Sequence, residues 1–158
     1  MATQVQAIPQ NHQTVTPSIV VAGAAKAIEW YRKALGAEEV SRFAAADGRI
    51  MHAEIRIGDS HIMMSDEMPE YGVKGPGTLG GTPVSFFIYG ANVDAAWKRA
   101  VDAGGKTIMP LTDQFWGDRS GCIEDPFGHQ WWLSQHMQDL TPEELRKAAD
   151  AAFPQPAP

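Results

Sequence analysis

A chain of 158 residues, 44% of them hydrophobic, has the length of one ordinary domain or of two half-size modules sharing a core, and lies far from the disordered range. A net charge of −6, with basic residues scattered rather than striped, argues against nucleic acid or an anionic membrane as a partner. A single cysteine excludes an internal disulfide and fits a reducing cytoplasm; no apolar run reaches the roughly 18 residues of a membrane span, and the first residues lack a signal peptide's basic start and apolar core. The expectation is a soluble, acidic, cytoplasmic protein.

Residues 1–13 are rich in Gln, Asn and Ala without periodicity and read as a loose leader. VTPSIVVAG (15–23) is a short β-branched run, hence a strand. In AAKAIEWYRKALGA (24–37), Ala27, Ile28, Tyr31, Ala34 and Leu35 recur at helical spacing and Gly36 supplies a stop. Residues 38–67 read as three strands, with Asp47-Gly48 and Gly58-Asp59 as hairpin turns. MPEYGVKGPGTLGG (68–81) carries five Gly and two Pro and reads as a flexible connection. The pattern then restarts: PVSFFIYG (83–90) is a strand, NVDAAWKRAVDAGG (92–105) an amphipathic helix, and 106–136 a second set of strands whose DPFGH turn matches IGDSH. TPEELRKAADAAF (141–153) is a helix with Thr141 as cap, Pro142 in the first turn and Glu144 three residues after the cap.

The order is βαβββ twice, an α+β arrangement. It gives a first module at 14–67, a linker at 68–81, a second module at 82–137, a C-terminal helical segment at 138–153 and a loose tail at 154–158. Ala34 and Ala103, like Gly36 and Gly105, are 69 positions apart. The same offset takes Thr16 to Ser85 and Met63 to Trp132, so one register serves strand, helix and strand. Two curved half-sheets with outer helices would leave their inner faces to share a concave cavity for a small ligand.

Paired βαβββ modules, the segment VVAGAAKAIEWYRKALGAEEV and the string GDRSGCIEDPFGHQWW together resemble the vicinal oxygen chelate superfamily of glyoxalase I, bleomycin-resistance proteins and extradiol dioxygenases. DGRIMHAEIRIGDSHIMMSDE and DQFWGDRSGCIEDPFGHQWWLSQH look like its PhnB-like, glyoxalase/bleomycin-resistance branch, over roughly residues 14–146. The resemblance implies a small-molecule cavity and commonly a homodimer, without fixing a reaction. It also implies where metal-dependent members hold their ligands, on the first and fourth strand of each module. Those places fall on Thr16, Met63, Ser85 and Trp132. Two hydroxyls, a thioether and an indole make a poor set for a divalent ion, so no cofactor is expected at that centre.

Side-chain alternation gives His52, Glu54 and Arg56 one face of their strand, opposite Met51, Ala53, Ile55 and Ile57. The plainer reading is a polar face with mutual screening; the sharper one is a hydrogen-bonding wall for a ligand. His52 and Glu54, with His61 across the hairpin, form a fallback metal set. Cys122 lacks a nucleophile motif and reads as a small buried hydrophobe. His129 reads as closing the DPFG turn. Gly117 lets the backbone bend or a ligand approach. Trp116 suits a planar ligand and Arg119 a carboxylate, unless Asp118 and Arg119 hold the hairpin together.

With Met63, Phe87, Trp116 and Trp132 lining it, the expected cavity is aromatic and apolar. The function expected is metal-independent binding or sequestration of a small hydrophobic or aromatic molecule, with Thr16, His52, Glu54, Met63, Ser85, Phe87, Trp116, Arg119 and Trp132 as ligand-binding candidates. The alternative is a lyase, isomerase or dioxygenase of the same superfamily, metal-dependent or metal-free, with Glu54, Glu124 and His52 as catalytic candidates.

Overall fold

The protein is described by a computed structural model covering residues 5–9 and 12–154; residues 1–4, 10 and 11 of the leader expected to be loose at 1–13, and 155–158 of the tail expected at 154–158, lie outside the described residues. The chain divides into two compact units, one of residues 1–82 with Pro126–Gly128, the other of 83–125 with 129–158.

The first unit holds β1 (Ser18–Val21), α1 (Ala24–Leu35), β2 (Glu38–Ala44), β3 (Ile50–Ile57) and β4 (Ser60–Asp66). Its sheet order is β1-β4-β3-β2, with β1 parallel to β4 and the other pairs antiparallel. The helix buries the stripe its spacing dictates: Ala27, Ile28, Tyr31, Ala34 and Leu35, together with Ala24 at its start. Against it lie the alternate residues Ala53, Ile55 and Ile57, with Ile62 and Met64 from β4, all buried. Gly36 ends the helix at φ 70, a left-handed cap whose N–H donates to the Tyr31 carbonyl. Edge strand β2 is exposed along its whole length and carries Glu38, Glu39 and Arg42, charges that discourage pairing with another chain.

The first strand is shorter than its β-branched run. Thr16 donates its hydroxyl to the Gln13 carbonyl at 3.0 Å, and Pro17 has no N–H to give, so the parallel ladder opens with Met63 N–H donating to Pro17 O at 2.9 Å. Thr16 therefore precedes β1 rather than lying on it. The linker is also more ordered than its glycines suggest. It contains a 3₁₀ turn at Pro69–Tyr71, an isolated bridge between Met68 and Val73, and the short helix α2 (Pro76–Leu79). Gly75 is buried there, its N–H donating to Glu67 at 2.6 Å, and a Cβ at that position would stand 2.8 Å from the Val20 carbonyl oxygen. The glycine permits close packing instead of looseness.

The second unit repeats the design with β5 (Ser85–Tyr89), α3 (Val93–Asp102), β6 (Lys106–Asp113), β7 (Asp118–Glu124) and β8 (Gln130–His136), in the order β5-β8-β7-β6. Val93, Ala100, Cys122, Ile123, Trp131 and Leu133 form its buried core. The repeat is legible in the registers. Ser18 faces Met63 across β1–β4, and 69 residues later Phe87 faces Trp132 across β5–β8. The helix starts repeat as well. The Asp66 carboxylate accepts from Gly23 and Ala24 at the start of α1, and Gln135, at the matching place, accepts from Val93 at the start of α3.

After β8 comes α4 (Pro142–Ala152), opened by a complete capping box in which Thr141 and Glu144 satisfy each other's backbone N–H. Phe153 beyond it meets Phe115 edge-on, ring centres 5.6 Å apart. No helix among the described residues is long and apolar enough to cross a membrane.

Candidate functional site

In the first unit, three chemistry-bearing side chains converge. Glu54 on β3 is diagonal to His61 on β4, because the antiparallel register sets Arg56 opposite His61 and Glu54 opposite Met63. His61 Nδ1 is hydrogen-bonded to Glu54 Oε1. From the segment ahead of β1, His12 brings Nε2 to 3.4 Å from Glu54 Oε2 and tilts its ring over His61 at a centre distance of 5.3 Å. The side chains of His12, Glu54 and His61 are only 13%, 10% and 6% exposed. One donor atom from each lies within 4.8 Å of the other two. A carboxylate this buried needs partners, and the two imidazoles supply them.

His52 stands apart from this group. It lies on β3 opposite Phe43, exposed. Sequence reasoning paired His52 with Glu54 and His61, but His12 takes that place; nothing local in the leader signals a residue that reaches across 42 positions to Glu54. Arg56 is turned to Glu38 (2.5 Å) and to the Gly58 carbonyl (2.7 Å).

In the second unit, Phe87 and Trp132 stack with ring centres 5.2 Å apart and an interplanar angle of 1°, and Tyr89 follows at 6.3 Å and 22°. Phe87 is 48% and Tyr89 58% exposed, so part of each ring is open to solvent. At the far end of the row, Tyr89 donates its hydroxyl to Asp118 at 2.9 Å. Asp118, buried, also accepts from the Trp116 indole N–H at 3.1 Å and pairs with His136 Nδ1 at 2.8 Å. Burial pulls the Asp118 carboxyl upward, but the bonds from His136, Tyr89 and Trp116 outweigh it and hold the group below its ordinary range. His136 is raised by Asp139 and by Asp118.

The remaining candidates are committed to neighbours. Arg119 grips Asp94 with two bonds, of 3.1 and 2.8 Å, and reaches Asp113 at 3.1 Å. Trp116 is held by Asp118. Gly117, at φ 95, does bend the backbone, and the approach it allows is that of the chain itself: Met137 and Gln138 N–H both donate to its carbonyl at 3.0 Å. Cys122 is buried, and that burial, with the Glu124 charge, pushes its thiol up, away from nucleophilic use. Glu124 is screened by Lys106 at 3.4 Å. His129 closes its turn through the backbone: its N–H donates to Asp125 Oδ1 and its carbonyl accepts from Asp125 N–H, both at 2.9 Å.

The four positions that the resemblance marks for a metal do not fit one. In the first unit Thr16 spends its hydroxyl on Gln13 and Met63 offers a thioether opposite Ser18. In the second, Ser85 is exposed opposite Gln130 and the Trp132 indole is stacked on Phe87. Neither half supplies an imidazole or carboxylate at those places.

Comparison with known proteins agrees with the duplicated architecture. The chain is 41% identical over 137 residues to an uncharacterized protein of Mycobacterium bovis, Mb0911c, covering 85% of this chain and 90% of that one. Protein PA1353 from Pseudomonas aeruginosa superimposes with a TM-score of 0.64 at 25% identity, over 80% of this chain and 99% of that one. The fosfomycin resistance protein FosX from Listeria monocytogenes shares the fold at a TM-score of 0.56 and 14% identity, over 80% of this chain and 92% of its own. A family model matches residues 11–133, and the chain belongs to the Glyoxalase/Bleomycin resistance protein/Dioxygenase superfamily.

Proposed function

We propose that this protein binds, and by binding sequesters, a small planar aromatic or amphipathic molecule laid against the Phe87–Trp132 pair of the second unit. The observation that carries the reading is the parallel stack itself: two rings 5.2 Å apart and 1° from coplanar directions, one of them half exposed. Aromatic side chains fixed this way present a ready π-face at little ordering cost. The Tyr89 hydroxyl and the Asp118 network give the row one polar end, suited to an amphipathic ligand. The shared fold with a fosfomycin resistance protein supports a small-molecule role without naming the ligand. A homodimer in the cytoplasm belongs to the same reading, and light scattering of the purified protein checks the oligomer.

The direct test is a screen of planar compounds by quenching of tryptophan fluorescence. Binders found in this way should lose affinity in Trp132→Ala and in Phe87→Ala. If both variants keep every affinity discovered, the reading fails.

A further inference from the structure

We infer that the first unit carries a binding site for a divalent transition-metal ion made by His12, Glu54 and His61, away from the four positions where the resemblance would put one. Two imidazoles and one carboxylate are a borderline donor set, matched to Zn²⁺, Co²⁺ or Ni²⁺ rather than to Mg²⁺ or Ca²⁺. The set leaves one net positive charge on the bound ion, and three protein ligands leave a fourth position of a tetrahedral ion open.

The geometry is close to that of a loaded site. Metal–ligand bonds of about 2.0–2.2 Å put neighbouring donors of a tetrahedral ion roughly 3.3–3.6 Å apart. His12 Nε2 already stands 3.4 Å from Glu54 Oε2, and all three donors fit within 4.8 Å. Donors no more than 4.8 Å apart reach that spacing with about 1 Å of side-chain rotation. The contact between His61 Nδ1 and Glu54 Oε1 is a hydrogen bond in which a proton occupies the place the ion would take. Binding would displace that proton from Nδ1, the neutral imidazole carrying it on Nε2 instead, and let the two groups move apart to ligand spacing.

The arrangement is peculiar to one half of the duplicated chain. Glu54 faces Met63 in the first unit, and the residue facing the equivalent Trp132 in the second is Cys122; the counterpart of His61 is Gln130. A fold that merely needed a polar cluster at this place would need it twice. The rival account is a hydrogen-bonded triad that pins the leader to the sheet, and it predicts no affinity for metal.

The full chain, stripped with chelator, is titrated with Zn²⁺ in a calorimeter and with Co²⁺ under visible absorption. One equivalent should bind, with the ligand-field bands of a four- or five-coordinate Co²⁺. His12→Ala, Glu54→Gln and His61→Ala should each weaken binding by at least the roughly 10–100-fold that loss of an outer partner of a metal ligand costs. His52→Ala and His136→Ala should leave it unchanged. Should the Glu54 and His61 variants fail to fold, His12→Ala decides, because His12 lies outside every strand and helix and Glu54 keeps His61 as a partner. No stoichiometric binding, binding that survives His12→Ala, or binding lost in His136→Ala would each overturn the assignment. The readout uses the metal alone, so it stands or falls apart from the aromatic-ligand reading.

Discussion

Phe87 and Trp132 lie directly opposite each other across the parallel β5–β8 pair, where the first unit has Ser18 and Met63. The same backbone positions thus carry a stacked aromatic pair in one half and a small polar residue beside a thioether in the other. Removing either ring should weaken an aromatic ligand about tenfold, the equivalent of roughly 1.4 kcal/mol, in line with a stacked contact plus lost area. Phe87→Ala should do so with little change in thermal stability, since the side chain is half exposed. Fluorescence titration and a thermal melt of the same variant check both halves of this statement.

Asp66 and Gln135 do one job with unequal strength. Asp66 accepts from Gly23 at 2.9 Å and Ala24 at 2.6 Å, and its other oxygen accepts from Ile50 at 2.7 Å, so one side chain ties the helix start to the strand beside it. Gln135 accepts only from Val93, at 3.2 Å, while Asn92 caps the helix from within. Asp66→Ala should therefore cost about 2–3 kcal/mol in urea denaturation, and Gln135→Ala no more than about 1 kcal/mol. Equal costs would mean that the first helix does not depend on its carboxylate.

Gly117 and Gly104 both have positive φ, 95 and 100, but differ in what surrounds them. A Cβ on Gly117 would meet the Gln138 carbonyl oxygen at 2.4 Å, whereas one on Gly104 meets nothing within 4 Å. Gly104→Ala should cost only the left-handed backbone penalty of about 1–2 kcal/mol. Gly117→Ala adds a clash with main chain and should cost roughly 2–4 kcal/mol, read as a lower midpoint at constant slope.

The Asp118–His136 pair makes stability depend on pH at both ends. The Asp118 carboxyl is held below its ordinary 3.8, so its contribution is complete above that value and is lost as pH falls through the lowered one. His136 is raised above its ordinary 6.5, so its contribution is complete below that value and is lost as pH rises through the raised one. Denaturation midpoints should peak between those limits. In His136→Gln the decline on the alkaline side should shrink while the acid limb persists in part, because Tyr89 and Trp116 still donate to Asp118. An unchanged alkaline limb would show that His136, held by Asp139 and Asp118, adds no pH-dependent stability.

Most of the architecture was legible because it rests on periodicity. The stripe Ala27, Ile28, Tyr31, Ala34 and Leu35, the alternation in β3 and the 69-residue offset all express local spacing that the chain must obey to bury one face. The site was less legible for the opposite reason. Glu54 and His61 share a hairpin and could be paired from sequence, but His12 joins them through a contact spanning 42 positions that no nearby pattern encodes. Gly75 misled in a similar way: composition reads glycine as slack, while its lack of a Cβ serves a tight approach to Val20. Trp116 and Arg119 show a third limit. Residue type alone cannot tell a side chain offered to a ligand from one already bonded to Asp118, Asp94 and Asp113.

His12 sits ahead of the first strand, in a stretch that a gene trimmed to its two repeats would discard. The shortened product would keep every strand of both sheets. It would nonetheless leave Glu54 with one imidazole in place of two, and on the assignment proposed above a search for inorganic ions carried out on that truncated version should come back blank.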